Sequence, residues 1–112
     1  MRQYELDNFI ESKKDLNYLI ILLFKGDKCI PCEILLSKIK KILLRNKILH
    51  KNSKLYVFTN EDEPTYHYEI KAVPTLIILK KSKIVYKYVG EQNETVLETK
   101  LLNLLNDEEN AL

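Results

Sequence analysis

The segment Cys29-Ile30-Pro31-Cys32 constrains this chain more than any other feature, because it holds the only two cysteines among 112 residues. Residues three apart lie on the same face of a helix, so a helix that begins here lets the two sulfurs meet in a small disulfide. The positive end of the helix dipole stabilises a thiolate on the first cysteine. The pattern therefore predicts a redox-active pair at the start of a helix.

Two other interpretations of the cysteine pair are a zinc site and a structural disulfide. A zinc site needs four ligands, and the remaining soft donors are His50 and His67, which do not form a second short-spaced pair. Small disulfide scaffolds carry many cysteines and a secretory signal, and this chain shows neither feature. We expect no metal and no cofactor within one chain, while a metal bridged between two chains remains an alternative.

Length and composition predict one folded domain over residues 1–112. Apolar residues make up 46% and charged residues 30%, which is typical of a folded protein and not of a disordered one. A net charge of +2 is too small to indicate nucleic-acid binding. The longest apolar run, Leu19–Phe24, is too short to span a bilayer, and Asp7 interrupts any signal peptide. We expect a cytoplasmic monomer, and in that reducing compartment a lone Cys-x-x-Cys favours catalysis.

The order of predicted elements favours an α/β fold. Strands are predicted at residues 18–24, 55–59, 75–79 and 84–89, with a short edge strand at residues 4–6. Helices are predicted to begin at Asp7 or Asn8, at the cysteines, at Asn60 and at Asn93, and the tail from Asp107 is predicted to fray. Strand–helix–strand units imply parallel strands, and the late hairpin adds an antiparallel edge. We therefore expect a mixed sheet of four to five strands with helices on both faces.

Three features of this chain together resemble the thioredoxin family over essentially the whole sequence. An apolar strand delivers the cysteine pair to a long helix, Val73-Pro74-Thr75 opens the next hairpin, and Gly90 follows that hairpin. The resemblance implies a thioredoxin fold and a thiol–disulfide oxidoreductase acting on protein disulfides. It further implies recycling by an upstream reductase or another thiol donor. Cys29, nearer the helix end, is the expected nucleophile, and Cys32 is expected to resolve the mixed disulfide.

The resemblance also implies where a substrate protein docks. Cis peptide bonds are almost confined to bonds that precede proline, and the Val73–Pro74 bond corresponds to the cis-proline loop of the family. In that role Val73 offers its backbone to a partner peptide, and Pro74 bars metal from the dithiol. The expected docking surface comprises Ile30, Pro31, Val73, Pro74 and Gly90.

The chain departs from the family pattern at four positions. Lys28 stands where the family has tryptophan, Ile30 where it has glycine, Leu23 where it has a buried acid, and Leu55 where it has the accompanying lysine. These changes predict an altered redox potential and proton-relay step, and Cys32 must lose its proton to water or to a substrate group. A second reading is therefore kept, in which the chain is a thioredoxin-fold module that binds a protein partner through the same surface.

Overall fold

Strand β1 (Leu19–Phe24) lies at the centre of the sheet because all six of its residues are apolar and buried. It pairs in parallel with β2 (Ser53–Phe58) and antiparallel with β3 (Thr75–Lys80), whose far side carries β4 (Lys83–Val89). The strand order is β2-β1-β3-β4. A strand that is apolar at every position needs cover on both faces, and the helices supply it.

The helices divide between the two faces of the sheet. Successive side chains of a strand point to opposite faces, so Ile20, Leu22 and Phe24 pack on one side and Leu19, Ile21 and Leu23 on the other. Helices α1 (Gln3–Ser12) and α4 (Glu63–His67) lie on the first side. Helices α2 (Ile30–Arg45), α3 (Lys47–Lys51) and α5 (Glu94–Asn106) lie on the second. The predicted α/β class is confirmed, with a mixed sheet of four strands.

The N-terminal prediction was wrong, because residues 4–6 lie in α1 and not in an edge strand. The helix begins at Gln3 and not at Asp7 or Asn8. Leu6 and Ile10, four residues apart on one face of this helix, are both buried against the sheet. The Arg2 N–H donates to the Glu5 carboxylate at 2.9 Å, and this bond satisfies the backbone at the helix start.

The connection into β2 also differs from its prediction. Residues 47–51 form α3, which the sequence did not indicate, and β2 begins at Ser53, two residues earlier than expected. The side chain of Asn46 accepts the Leu49 N–H at 3.1 Å, so Asn46 ends one helix and caps the next. Leu49 is fully buried and anchors this short helix to the core.

The computed structural model describes residues 1–107 of the chain. The fraying predicted from Asp107 onward falls almost entirely on residues outside that range, and the single domain over residues 1–112 stays a prediction. Among the described helices, none is both long and apolar enough to cross a bilayer.

Candidate active site

One end of the sheet collects the three segments that the sequence singled out. Phe24 ends β1, Thr75 begins β3 and Val89 ends β4, and the strand register aligns these three residues in one row. The chain leaves or enters the sheet at that row through the loops that carry Cys29, Pro74 and Gly90. The topology therefore brings the predicted site residues to a common edge.

Cys29 and Cys32 form a disulfide at the start of α2, with their Cα atoms 5.2 Å apart. Cys29 is the N-cap residue of the helix, and the Cys32 N–H donates to its sulfur at 3.2 Å. Cys32 is fully buried, whereas Cys29 is partly exposed. A second molecule can therefore reach Cys29, whose sulfur lies beside a backbone donor at the positive end of the helix dipole.

The two residues between the cysteines form an exposed apolar surface. Ile30 is 73% exposed, although an isoleucine is more often buried. Pro31 is also exposed, and it lies in the first turn of α2, where a proline costs no helix hydrogen bond. Both side chains are exposed and are therefore available to a docked partner.

The loop before β3 is held in a fixed shape by its neighbours. The Val73–Pro74 peptide bond is cis. The Gly90 N–H donates to the Pro74 carbonyl at 2.8 Å, and the Thr75 hydroxyl donates to the Ala72 carbonyl at 2.6 Å. Pro74 is buried, while Val73 is 43% exposed at the surface. Gly90, with φ of 106°, adopts a conformation that glycine accommodates most easily.

Gly26 is a site residue that the sequence reasoning missed. A methyl group built on Gly26 would lie 3.1 Å from the Cγ2 atom of Val73. The loop that leads to Cys29 therefore packs directly on the loop that carries Val73, and only glycine leaves that approach unhindered. The signal available in the sequence was a glycine in the turn after β1, which by itself indicates no long-range contact.

Two lysines lie beside the cysteines, and they differ in whether an acidic side chain pairs with them. Lys25 forms an ion pair with Glu33 in the first turn of α2. Lys28 is exposed, and within residues 1–107 it takes part in no ion pair. Its φ of 51° places it in the left-handed region, where it turns the chain immediately before Cys29. Lys28 is thus the available cation next to the predicted nucleophile.

The interior beneath the cysteines is apolar. Leu23 is fully buried, and Leu55 packs against the same cluster of core side chains. The resemblance to the family implies an acid and a lysine at these two positions, and neither leucine offers a group that can exchange a proton. A proton on Cys32 must leave by another route.

In the sequence, His50 and His67 are the remaining donors for a metal site. His50 is exposed on α3, and the His67 ring packs edge-to-face on Tyr68 with centroids 4.8 Å apart. Within the described part of the chain, no three or more histidine, cysteine or acidic side chains are grouped so that they could hold a metal ion.

Comparison with known proteins identifies the family. The thioredoxin family model matches residues 1–103, which is nearly the whole chain. Mitochondrial thioredoxin of Bos taurus is 29% identical over 86 residues, which cover 77% of this chain and 51% of the relative. This chain therefore belongs to the thioredoxin family, as the sequence predicted. It spans about half the length of the curated relatives that it matches.

Solved structures show the same fold. Mitochondrial thioredoxin 3 from Saccharomyces cerevisiae, in its oxidised form, superposes with a TM-score of 0.72 at 19% identity, covering 91% of this chain and 90% of that one. The thioredoxin of Fasciola hepatica superposes with a TM-score of 0.71 at 24% identity, covering 91% and 93%. The predicted thioredoxin fold is confirmed.

Proposed function

We propose that this protein is a thiol–disulfide oxidoreductase that reduces disulfides in other proteins through Cys29 and Cys32. One observation carries the proposal: an accessible sulfur at the N-terminus of α2 is bonded to a buried sulfur one turn inward. Membership of the thioredoxin family supports the same chemistry. A structural disulfide does not need an accessible sulfur, whereas an exchange reaction does.

The first step is attack on the substrate. The Cys29 thiolate attacks one sulfur of the substrate disulfide, a new S–S bond forms, and the substrate bond breaks. The departing substrate sulfur leaves with the electron pair as a thiolate and takes a proton from water. The Cys32 N–H, 3.2 Å from the Cys29 sulfur, stabilises the thiolate before attack.

The second step releases the substrate. Cys32 loses its proton, attacks the Cys29 sulfur and forms the intramolecular disulfide, and the second substrate sulfur leaves as a thiolate. Two electrons and two protons have then passed to the substrate, and a dithiol donor restores the protein. Because Leu23 and Leu55 offer no carboxylate or amine, we assign the Cys32 proton to water or to the departing substrate sulfur.

Docking of the substrate involves the surface around Cys29. Within residues 1–107, neither the N–H nor the C=O of Val73 takes part in a backbone hydrogen bond, so both can pair with an extended peptide. Ile30 and Pro31 supply apolar contact on the other side of the sulfur. Gly90 holds Pro74 in place through its N–H and adds no side chain that would obstruct the approach.

The proposal includes partners and a compartment. The substrates are protein disulfides, and an upstream dithiol reductase or a thiol donor supplies the electrons. A reducing compartment, the cytoplasm, keeps such a pair cycling, and one chain holds both sulfurs, so a monomer suffices for the chemistry.

Turnover with insulin as the model protein disulfide and dithiothreitol as the donor tests the proposal. We expect Cys29→Ser to reduce insulin no faster than dithiothreitol alone, because the attacking sulfur is gone. Pre-reduced Cys32→Ser, mixed with insulin after the dithiothreitol is removed, is expected to accumulate a mixed disulfide that is visible by intact-mass measurement. Equal turnover by Cys29→Ser and the unmodified protein would refute the enzyme and favour a thioredoxin-fold binding module.

A further inference from the structure

A groove of about 580 Å³ begins at Cys29 and continues along the outer side of α2. It lies on the helix face turned away from the sheet, beyond the docking surface assigned above to Val73 and Pro74. Ile30 lines its start and Lys41 lines its far end. Lys41 follows Ile30 by eleven positions of helix, a rise of about 17 Å.

The start of the groove is apolar. Ile30 and Ile34 are four residues apart and so share one face of the helix. They are 73% and 41% exposed, and both line the groove. Two adjacent exposed isoleucines beside a reactive sulfur suit contact with another molecule better than contact with water.

Within residues 1–107, the charged side chains of the groove that take part in no ion pair are positive. The two carboxylates in its wall are already engaged, Glu33 by Lys25 and Glu94 by Arg45. Lys38 is engaged by Glu91. Within residues 1–107, Lys28 and Lys41 take part in no ion pair, and they mark the two ends of the groove. A partner that carries negative charge at the far end complements it.

We propose that this groove binds the substrate segment next to the reactive cysteine, and that it selects an apolar residue beside that cysteine and an acidic residue about five positions away. This inference rests on the proposed oxidoreductase function. An extended peptide advances about 3.3 Å per residue, so about five residues span the distance from Ile30 to Lys41. A second copy of this chain docked groove to groove would place lysine against lysine, which disfavours that pairing.

Peptide disulfides provide the test. Each synthetic peptide carries one cysteine in a mixed disulfide with a chromogenic aromatic thiol, and a leucine next to that cysteine. A glutamate or a lysine lies five positions away from the cysteine, either before it or after it. The Cys29 thiolate of pre-reduced protein attacks the peptide sulfur and expels the aromatic thiolate, so colour reports one turnover without added reductant. In one of these two arrangements, with the charged residue either before or after the cysteine, we expect the glutamate peptide to react about two- to fivefold faster than the lysine peptide at low salt.

Variants locate the effect. Lys41→Glu is expected to reverse the order of the glutamate and lysine peptides. Lys51→Glu, which makes the same charge change on exposed α3, is expected to leave the order unchanged. Added salt is expected to shrink the preference in the unmodified protein, and this readout needs no variant.

The outcomes separate the two proposals. Equal reaction rates for all peptides in both arrangements would refute substrate binding in the groove and leave the proposed oxidoreductase function intact. The same conclusion would follow if the glutamate peptide still reacted faster than the lysine peptide with Lys41→Glu. Release of aromatic thiolate no faster than with Cys29→Ser would overturn the oxidoreductase, and the groove would fall with it.

Discussion

At the scale of single residues, the two glycines of this chain serve different purposes. Gly26 provides space, since a Cβ atom there would lie only 3.1 Å from the Cγ2 atom of Val73. Gly90 provides backbone freedom, since its φ of 106° is rarely adopted by residues with a Cβ atom. Both positions lie beside the cysteine pair, and the shape of the docking surface depends on both.

Gly26→Ala tests the contact between the two loops. The added methyl group meets Val73 Cγ2 at 3.1 Å, so the loop must move by a few tenths of an ångström. We expect KM for insulin to rise about two- to fivefold, while the rate with a small aromatic disulfide, which needs no loop contact, stays unchanged. Steady-state kinetics with insulin and with the small aromatic disulfide measures this difference between the two substrates.

Gly90→Ala, at the only other glycine in the chain, gives a separate prediction. An added methyl group there meets nothing within 4 Å, but the backbone is strained. It should lower the free energy of unfolding by roughly 1 to 3 kcal/mol. An unchanged KM in Gly26→Ala would show that the Val73 loop does not position the substrate.

At the scale of elements, Arg45 ties the end of α2 to the start of α5. Its guanidinium binds the carboxylates of Glu94 and Glu98, and Asn46 adds a hydrogen bond to Glu98 at 3.3 Å. The hydrogen bond from Arg45 lowers the pKa of Glu98 below its usual value of 4.5. The helix that carries the cysteines is thereby fixed to its neighbour by a pH-sensitive contact.

The pH dependence of unfolding tests this contact. Because the pKa of Glu98 is lower in the folded state, its stabilising effect is complete above about pH 4.5 and is lost as the pH falls through the folded-state pKa. We expect Glu98→Gln to flatten the decline in stability below pH 4.5 in urea titrations. Glu61→Gln, at an exposed glutamate, serves as the control. Identical pH profiles for the two variants would contradict the role of Glu98.

At the scale of the whole molecule, the sequence predicted what depends on local patterns. The continuous apolar run of β1 indicated a central strand, and Cys29, Pro74 and Gly90 indicated three loops that the topology does bring to one edge. Contacts between distant segments left no such pattern. Lys80 ends an apolar strand and resembles a turn residue, yet its ammonium group is buried and donates to the carbonyls of Leu104 and Asp107.

The short helix α3 escaped prediction for a related reason, and α4, predicted to begin at Asn60, begins at Glu63. A helix of five residues is not stable alone, so α3 exists because Asn46 caps it and Leu49 is buried. The start of α1 likewise depends on burial of Leu6 and Ile10 against the sheet. The contact of Gly26 with Val73 and the groove along α2 also require the assembled fold.

The central claim is that Cys29 attacks and Cys32 resolves, and brief alkylation of the reduced protein tests it most directly. Cys29 is accessible and lies at the helix N-terminus, whereas Cys32 is 0% exposed. After a short iodoacetamide treatment at about pH 6, we expect peptide mass spectrometry to find Cys29 modified at least about tenfold more than Cys32. Equal modification, or a preference for Cys32, would contradict the assignment.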